Sequence, residues 1–317
     1  MFKHKQLMML QALTSAHVGS GDNLSYIDMP IQREKHTNYP KIEASSLKGS
    51  VRHAMEGMEG VKEEDKVLRK GEVADLMGSA DNDKITASRV AISDARILFF
   101  PVKSAKGIFA WVTCPSVLNK FKQDCEFLKI KQVSGDDFDT RIKDAILPTF
   151  TTELKDAIIT ESSKIKISHG GKDKIMLEEL VLKLVEDESK NFSTTIDNVL
   201  SLLPTAGADL KSQVALIPDD DFEHFVSQST EVITRIRINS DKGTVDKEKG
   251  ALFTEEYLPP ETIMYSSIFF KETSDKTQFG TLLDNIIQIG GNATLAKGMF
   301  RIKLTKGEQP NESEQPI

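Results

Sequence analysis

Gln6-Leu7-Met8-Met9-Leu10-Gln11-Ala12-Leu13-Thr14 decides the fold of this 317-residue chain. Apolar residues occupy both alternating faces, so the stretch reads as a strand without a wet side, which places it centrally in a sheet. The next thirty residues are dense in polar and punctuating types: Ser15-Ala16-His17-Val18-Gly19-Ser20-Gly21, then Tyr26-Ile27-Asp28-Met29-Pro30-Ile31-Gln32-Arg33-Glu34. Residues 18–44 therefore read as a loop presenting a surface to a ligand. Ser45 or Ser46 then caps a helix whose Leu47, Val51, Met55 and Met58 share one apolar face, with Lys48 and Arg52 on a different, exposed face.

Farther out, residues 60–88 are polar and read as a helical insertion. Arg89 to Val102 is rich in Ile, Val and Phe and reads as strand, turning through Lys103-Ser104-Ala105-Lys106-Gly107 into a hairpin partner over Ile108 to Thr113. Pro115 opens a helix to about Leu128. Residues 130–225 look like a largely helical insertion, with helices expected over Leu177–Glu188, Ile196–Leu203 and Asp219–Ser227. Glu231 to Asn239 alternates and returns over Ala251 to Tyr257, a long hairpin ended by Pro259-Pro260. Ile263 to Lys271 reads as strand, Thr277 to Ile289 as amphipathic helix and Gly298 to Leu304 as a last strand. Residues 305–317 read as a disordered tail. The order implies an α+β sandwich with helices on one face of an antiparallel sheet, and the ferredoxin-like unit is the matching motif.

Composition narrows the function. The net charge of −7 argues against a protein coated in lysine for indiscriminate polyanion binding, though a local basic groove remains compatible with it. No run of eighteen apolar residues occurs, so no membrane span is expected. Two cysteines, Cys114 and Cys125, make neither a disulfide framework nor a zinc site, and imply a reducing, cytoplasmic setting.

Several residues invite a chemical reading beside a plainer one. Ser45, Ser46, Lys48, Gly49 and Arg52 gather free helix N–H groups, hydroxyls and positive charge into a phosphate seat, or form an ordinary solvated cap. Gly49 in the first turn costs about 1 kcal/mol against alanine, which asks for a reason. Asp28 is a turn former, a metal ligand or an acid–base group beside a phosphodiester. His17 is a packed residue, or one that orients a ribose or carries a proton. Arg235 and Arg237 on the hairpin suit phosphates or solvent. Glu255, Glu256 and Tyr257 suit a polar edge or a second reactive cluster. Ile289-Gly290-Gly291-Asn292-Ala293-Thr294-Leu295-Ala296-Lys297 fails the nucleotide-binding loop pattern, because no Ser or Thr follows the lysine. Phe99, Phe100, Phe109 and Trp111 suit base stacking less well than a core.

Taken together, His17–Gly21, Ile27–Glu34, Ala44–Arg52, Gly250–Thr262 and Ile289–Thr294 resemble the signatures of the RAMP-superfamily backbone subunits of type III-B CRISPR effectors, the Cmr complexes. The resemblance implies a modified ferredoxin-like, RNA-recognition-like palm spanning 1–304, with helical insertions and a protruding β-hairpin thumb over 235–257. It implies copies stacked as a filament on a guide crRNA beside other Cmr subunits. It implies an endoribonuclease that cuts complementary target RNA at regular intervals, by 2′-hydroxyl attack and with a loosely bound divalent metal such as Mg or Mn. Asp28 matches the cleavage residue and would hold that metal. His17, Glu255 and Tyr257 match residues lining the same site. Ser45, Ser46, Lys48, Gly49, Arg52, Arg235, Arg237, Gly290, Gly291 and Asn292 match guide-RNA contacts. Ala296 departs from the family, which commonly has glycine there. A silent backbone subunit that only binds crRNA and holds the target duplex is the alternative.

Overall fold

A computed structural model describes residues 2–21, 26–58, 62–63, 66–67, 71–81, 84–128, 148–185, 189–204, 208–236 and 252–305. In chain order the elements are β1 (His4–Ala12), β2 (Lys41–Ile42), α1 (Ala44–Met58), β3 (Lys62–Glu63), β4 (Lys66–Val67), α2 (Glu72–Met77), β5 (Ser79–Asp81), β6 (Lys84–Thr86), β7 (Val90–Ile92), β8 (Ala95–Lys103), β9 (Phe109–Thr113) and α3 (Pro115–Leu128). Then come β10 (Ile158–Ile159), β11 (Ile167–His169), β12 (Lys172–Leu177), β13 (Leu180–Lys183), α4 (Ser189–Leu202), α5 (Ala208–Gln213), β14 (Val214–Leu216) and α6 (Asp219–Gln228). The last are β15 (Glu231–Ile236), β16 (Leu252–Tyr257), β17 (Ile263–Phe270), α7 (Thr273–Leu282), β18 (Ile286–Gln288) and β19 (Met299–Leu304).

One mixed sheet organises the molecule, in the order β10-β14-β9-β8-β17-β1-β19-β18, with β2 on β8 and β7 on β17. β1 lies inside it, antiparallel to both β17 and β19. Its seven C-terminal residues are buried. Leu7 and Met9 face a core shared with Phe99, Tyr265, Phe121 of α3 and Phe192 of α4. Met8 and Leu10 face a second core with Met264, Leu47 and Val51 of α1 and Phe279 of α7. Helices therefore cover both faces of the sheet, not one. Each such Leu, Met or Phe contributes about 1.5–3 kcal/mol through burial. Phe99, Phe100 and Trp111 are core residues rather than stacking platforms.

Several expectations from sequence are corrected. Helix α1 starts at Ala44, so neither Ser45 nor Ser46 is its cap. Asp94 does that work, its Oδ1 accepting the Ala44 N–H at 2.8 Å. Lys48 and Arg52 are half-buried rather than exposed. The described parts of 60–88 are mostly short antiparallel hairpins, β3–β4 and β5–β6, with α2 the one helix among them. Residues 177–185 are not helical, and 186–188 lie outside the described residues: β12 turns at Glu178, which adopts φ 45, into β13. Apolar residues at 175, 177, 180 and 182 satisfy both periods, and the turn decides for strand. The insertion also returns β14 to the main sheet, parallel to β9. Helix α7 begins four residues before the expected start, because Glu272 and Asp275 form a capping box, and residues 286–288 are strand. Thr305, assigned to the tail, is buried and returns its N–H to the Leu7 carbonyl at 2.9 Å. The rest of the expected tail, the hairpin tip with Arg237, and the Met58 side chain lie outside the described residues.

Candidate active site and nucleic-acid interface

Strands β15 and β16 form a separate two-stranded hairpin, and three segments from distant parts of the chain converge on its root. The pairing of Val232 with Glu256, Thr234 with Thr254 and Ile236 with Leu252 puts these six side chains on one face. Arg235, Glu255 and Tyr257 occupy the other.

On that second face a polar network is closed. The Arg235 Nε lies 2.7 Å from Glu255 Oε2, and Arg235 Nη2 donates to the Tyr257 hydroxyl at 2.5 Å. Tyr257 in turn donates to Glu255 Oε2 at 2.5 Å. Asn292 donates from Nδ2 to Tyr257 at 3.0 Å, and the Lys297 ammonium sits 4.9 Å over the tyrosine ring. Glu255 and Tyr257 are buried. Burial, and then the hydrogen bond to the Glu255 carboxylate, push the Tyr257 phenol up to about 12.

His17 backs this network. Its Nδ1 lies 2.7 Å from the Glu256 carbonyl, which only accepts, so Nδ1 carries the proton. Its ring tilts against Tyr257 at 5.5 Å. Gly291 donates its N–H to the His17 carbonyl at 2.8 Å, and Gly298 donates to Ser15 at 2.9 Å. A Cβ on Gly290 would stand 2.3 Å from the His17 oxygen, and one on Gly19 would stand 2.7 Å from the His17 Nε2. The glycines of the 290–298 loop thus seat the chain around His17. Asn292 and Ala296 both adopt left-handed φ, 63 and 55. The position at which the resemblance leads one to expect glycine does require a left-handed backbone, and alanine meets it under strain.

Asp28 stands on the other side. It is exposed, and residues 28–31 run alongside β16: Met29 donates to the Thr254 carbonyl at 3.0 Å and accepts from Glu256 at 3.0 Å. Glu256 locks the segment, taking the Ile31 N–H at 2.9 Å, the Arg33 guanidinium at 2.5 Å and the Thr230 hydroxyl at 2.8 Å. Asp28 Oδ2 accepts from the Thr254 N–H at 2.8 Å and from its hydroxyl at 2.9 Å. Those two bonds hold the carboxyl below the ordinary aspartate value. Oδ1 has no partner among the described residues. The structure therefore brings His17, Glu255, Tyr257, Arg235, Asn292, Gly290 and Gly291 into one cluster, and leaves Asp28 on the opposite face of the same strand. Thr254 and the exposed apolar Val232, Ile236 and Leu252 were not singled out from sequence. The alternation that would have shown them pointed to the hairpin but not to which face serves the site.

The α1 start joins this site through one residue. Gln32 Nε2 donates to the Gly19 carbonyl at 3.1 Å and to the Ser46 hydroxyl at 3.2 Å, while its Oε1 accepts the Glu43 N–H at 2.7 Å. Ser45 and Gly49 are exposed, and a Cβ on Gly49 would meet nothing within 4 Å, so this turn is open to a ligand. Lys48 donates to the Ser88 hydroxyl at 2.9 Å and the Val90 carbonyl at 3.2 Å; burial, and then Arg52, lower its pKa. Arg52 pairs with Glu56 and donates to Gly78.

Among the described residues no group of three His, Cys, Asp or Glu could hold a metal ion. Among the described residues Asp28 offers one unbonded oxygen and no second carboxylate or imidazole stands beside it, so these residues alone do not make a site for a resident divalent ion. Among the described residues no helix is long and apolar enough to cross a membrane.

The RAMP superfamily model matches residues 9–301. The CRISPR system Cmr endoribonuclease Cmr4 of Pyrococcus furiosus is 36% identical over 307 residues, covering 94% of this chain and 95% of its own. A crystal structure of oligomeric Cmr4 from that organism superposes with a TM-score of 0.68 at 29% identity, covering 96% of this chain and 98% of the other. A chain in the cryo-EM structure of a type III-B Cmr-beta complex bound to cognate target RNA shares the fold, with a TM-score of 0.71 at 22% identity over 96% and 98% of the two chains. With a family match over residues 9–301, the sheet covered on both faces and the hairpin rooted on the His17 and Gly-Gly-Asn segments, this chain belongs to the RAMP superfamily.

Proposed function

We propose that this chain is a filament-forming, crRNA-binding subunit of a type III-B CRISPR effector in the cytoplasm, and that it cuts complementary target RNA beside Asp28. The observation that carries this reading is the exposed, ionised Asp28 carboxylate held against a hairpin whose adjacent face also exposes the apolar Val232, Ile236 and Leu252. The full-length likeness to a chain named an endoribonuclease supports it.

RNA brings its own nucleophile. The 2′-hydroxyl attacks the neighbouring phosphorus, the bond to the 5′-oxygen breaks, and that oxygen takes a proton from solvent water, leaving a 2′,3′-cyclic phosphate and a 5′-hydroxyl. Asp28 Oδ1 accepts the hydrogen bond, and then the proton, of the 2′-hydroxyl. A carboxylate so well stabilised is a weak base, so its main contribution is orientation, and the larger gain comes from splaying one nucleotide into line. Val232, Ile236 and Leu252 on the hairpin supply an apolar surface against which a base leaves the duplex stack. Sequence is read by pairing with the guide, so the protein needs only shape and backbone contacts. The open turn at Ser45, Ser46 and Gly49, with the remaining proton of Lys48, is the guide-phosphate seat. Arg235 and Asn292 fix the hairpin root, and His17, Glu255 and Tyr257 support it from behind.

The test is Asp28→Asn in the assembled effector with target RNA. Cutting should fall by about 100-fold or more, while assembly and RNA binding persist. Normal cutting by this variant would leave a silent backbone subunit as the correct reading.

A further inference from the structure

We infer that Thr254 is the positioning residue of the Asp28 carboxylate, an inference that rests on Asp28 serving the cutting reaction. An exposed aspartate ordinarily samples several rotamers, and ordering it costs conformational entropy. Here the hydroxyl of one threonine both gives and takes. It accepts the Asp28 N–H at 3.0 Å and donates to Asp28 Oδ2 at 2.9 Å, while the Thr254 N–H reaches the same oxygen at 2.8 Å. The hydroxyl lies 3.3 Å from the Tyr26 carbonyl as well. It has one proton to give, and a carboxylate outcompetes a neutral carbonyl for it. The two Thr254 hydrogen bonds are the strongest that lower the Asp28 carboxyl, with its own N–H a lesser influence.

The arrangement fixes which oxygen works. Oδ2 is committed to Thr254, so Oδ1 is the one presented outward. Threonine suits the task because its branched Cβ restricts χ1, so the hydroxyl is aimed before the aspartate arrives. Thr254 is in turn fixed by its strand. The flanking Glu255 and Tyr257 anchor that strand from the opposite face through Arg235 and Asn292. Main-chain bonds from Met29 and to Glu256 hold residues 28–31 in register with it, so a slip of one residue would separate Asp28 from Thr254. The buried cluster thus acts on Asp28 through Thr254, without any of its residues touching the aspartate.

The experiment compares Thr254→Val, Thr254→Ser and Asp28→Asn in the complete effector, reading single-turnover cutting at saturating target RNA and RNA affinity. It also follows the Asp28 carboxyl titration by NMR in the full chain. Valine keeps the shape and favours strand, so the hairpin persists, and amide exchange of β15 and β16 verifies this. Thr254→Val should cut roughly tenfold more slowly, the loss expected of one hydrogen bond to a charged group, with unchanged RNA affinity. Its Asp28 titration should move upward toward the ordinary value. Thr254→Ser should retain both the rate and the titration. A Thr254→Val effector that cuts at the wild-type rate while Asp28→Asn is inactive overturns the positioning role, as does an unmoved Asp28 titration. If Asp28→Asn itself cuts normally, the underlying reading falls instead.

Discussion

Gly290 holds φ 90 with its α-carbon against the His17 carbonyl, which already accepts the Gly291 N–H. An alanine there meets both a left-handed backbone and an oxygen 2.3 Å from its Cβ. Gly290→Ala should therefore cost about 2–4 kcal/mol, read as a lower denaturation midpoint at unchanged m-value. Ala296 presents the converse case. At φ 55 it carries strain that glycine removes, so Ala296→Gly should be neutral or stabilising by up to about 1 kcal/mol in the same measurement. Tyr257 adds a pH signature. Its phenol ionises near 10 when unfolded and at about 12 in the fold, so the folded state favours the protonated form. The associated stability is complete below pH 10 and is lost as pH rises from 10 toward 12. Tyr257→Phe should remove that alkaline loss and lower stability at neutral pH, because Glu255 loses its phenol donor.

The β15–β16 hairpin separates stability from function at the scale of one element. Its inner face is a closed polar network, and its outer face exposes Val232, Ile236 and Leu252. Replacing Ile236 and Leu252 by serine should change stability by no more than about 0.5 kcal/mol per site, yet lower target cutting. A cutting assay alongside thermal unfolding distinguishes this from a merely structural loss. The hairpin was legible in the sequence because Glu231 to Asn239 alternates cleanly, and α3 was legible because Pro115 opens an apolar repeat ending at Leu128. Residues 175–184 were not, since their apolar spacing fits both periods and only the left-handed Glu178 settles it. The start of α1 was misread because its cap, Asp94, is fifty residues away. In the site, the sequence showed Asp28 and Glu255 as candidates, but nothing local could show that they lie on opposite faces of one strand. Thr254 was invisible because its meaning comes only from a partner 226 residues earlier.

At the scale of the whole molecule, an acidic chain of net charge −7 is asked to hold RNA, so its affinity must come from a few placed donors rather than an overall field. Lys48 is the informative one. Two of its three ammonium protons go to Ser88 and Val90, which fix the connection between β6 and β7, and the third is left for a phosphate beside the open Gly49 turn. The residue is thus a strut, and on the proposed reading also a phosphate contact, and the two roles are separable by salt. If one guide phosphate is lost in Lys48→Ala, the slope of log K against log salt becomes shallower by about 0.7, the increment for one contact on a single strand. Affinity then falls most at low salt and converges with wild type as salt rises. If Lys48 is only a strut, the variant unfolds earlier but binds crRNA with the same slope. Measuring crRNA affinity across a salt series, together with thermal unfolding of the same preparation, decides between them. An unchanged slope would move the guide seat away from α1, toward the Arg235 and Asn292 side of the hairpin root.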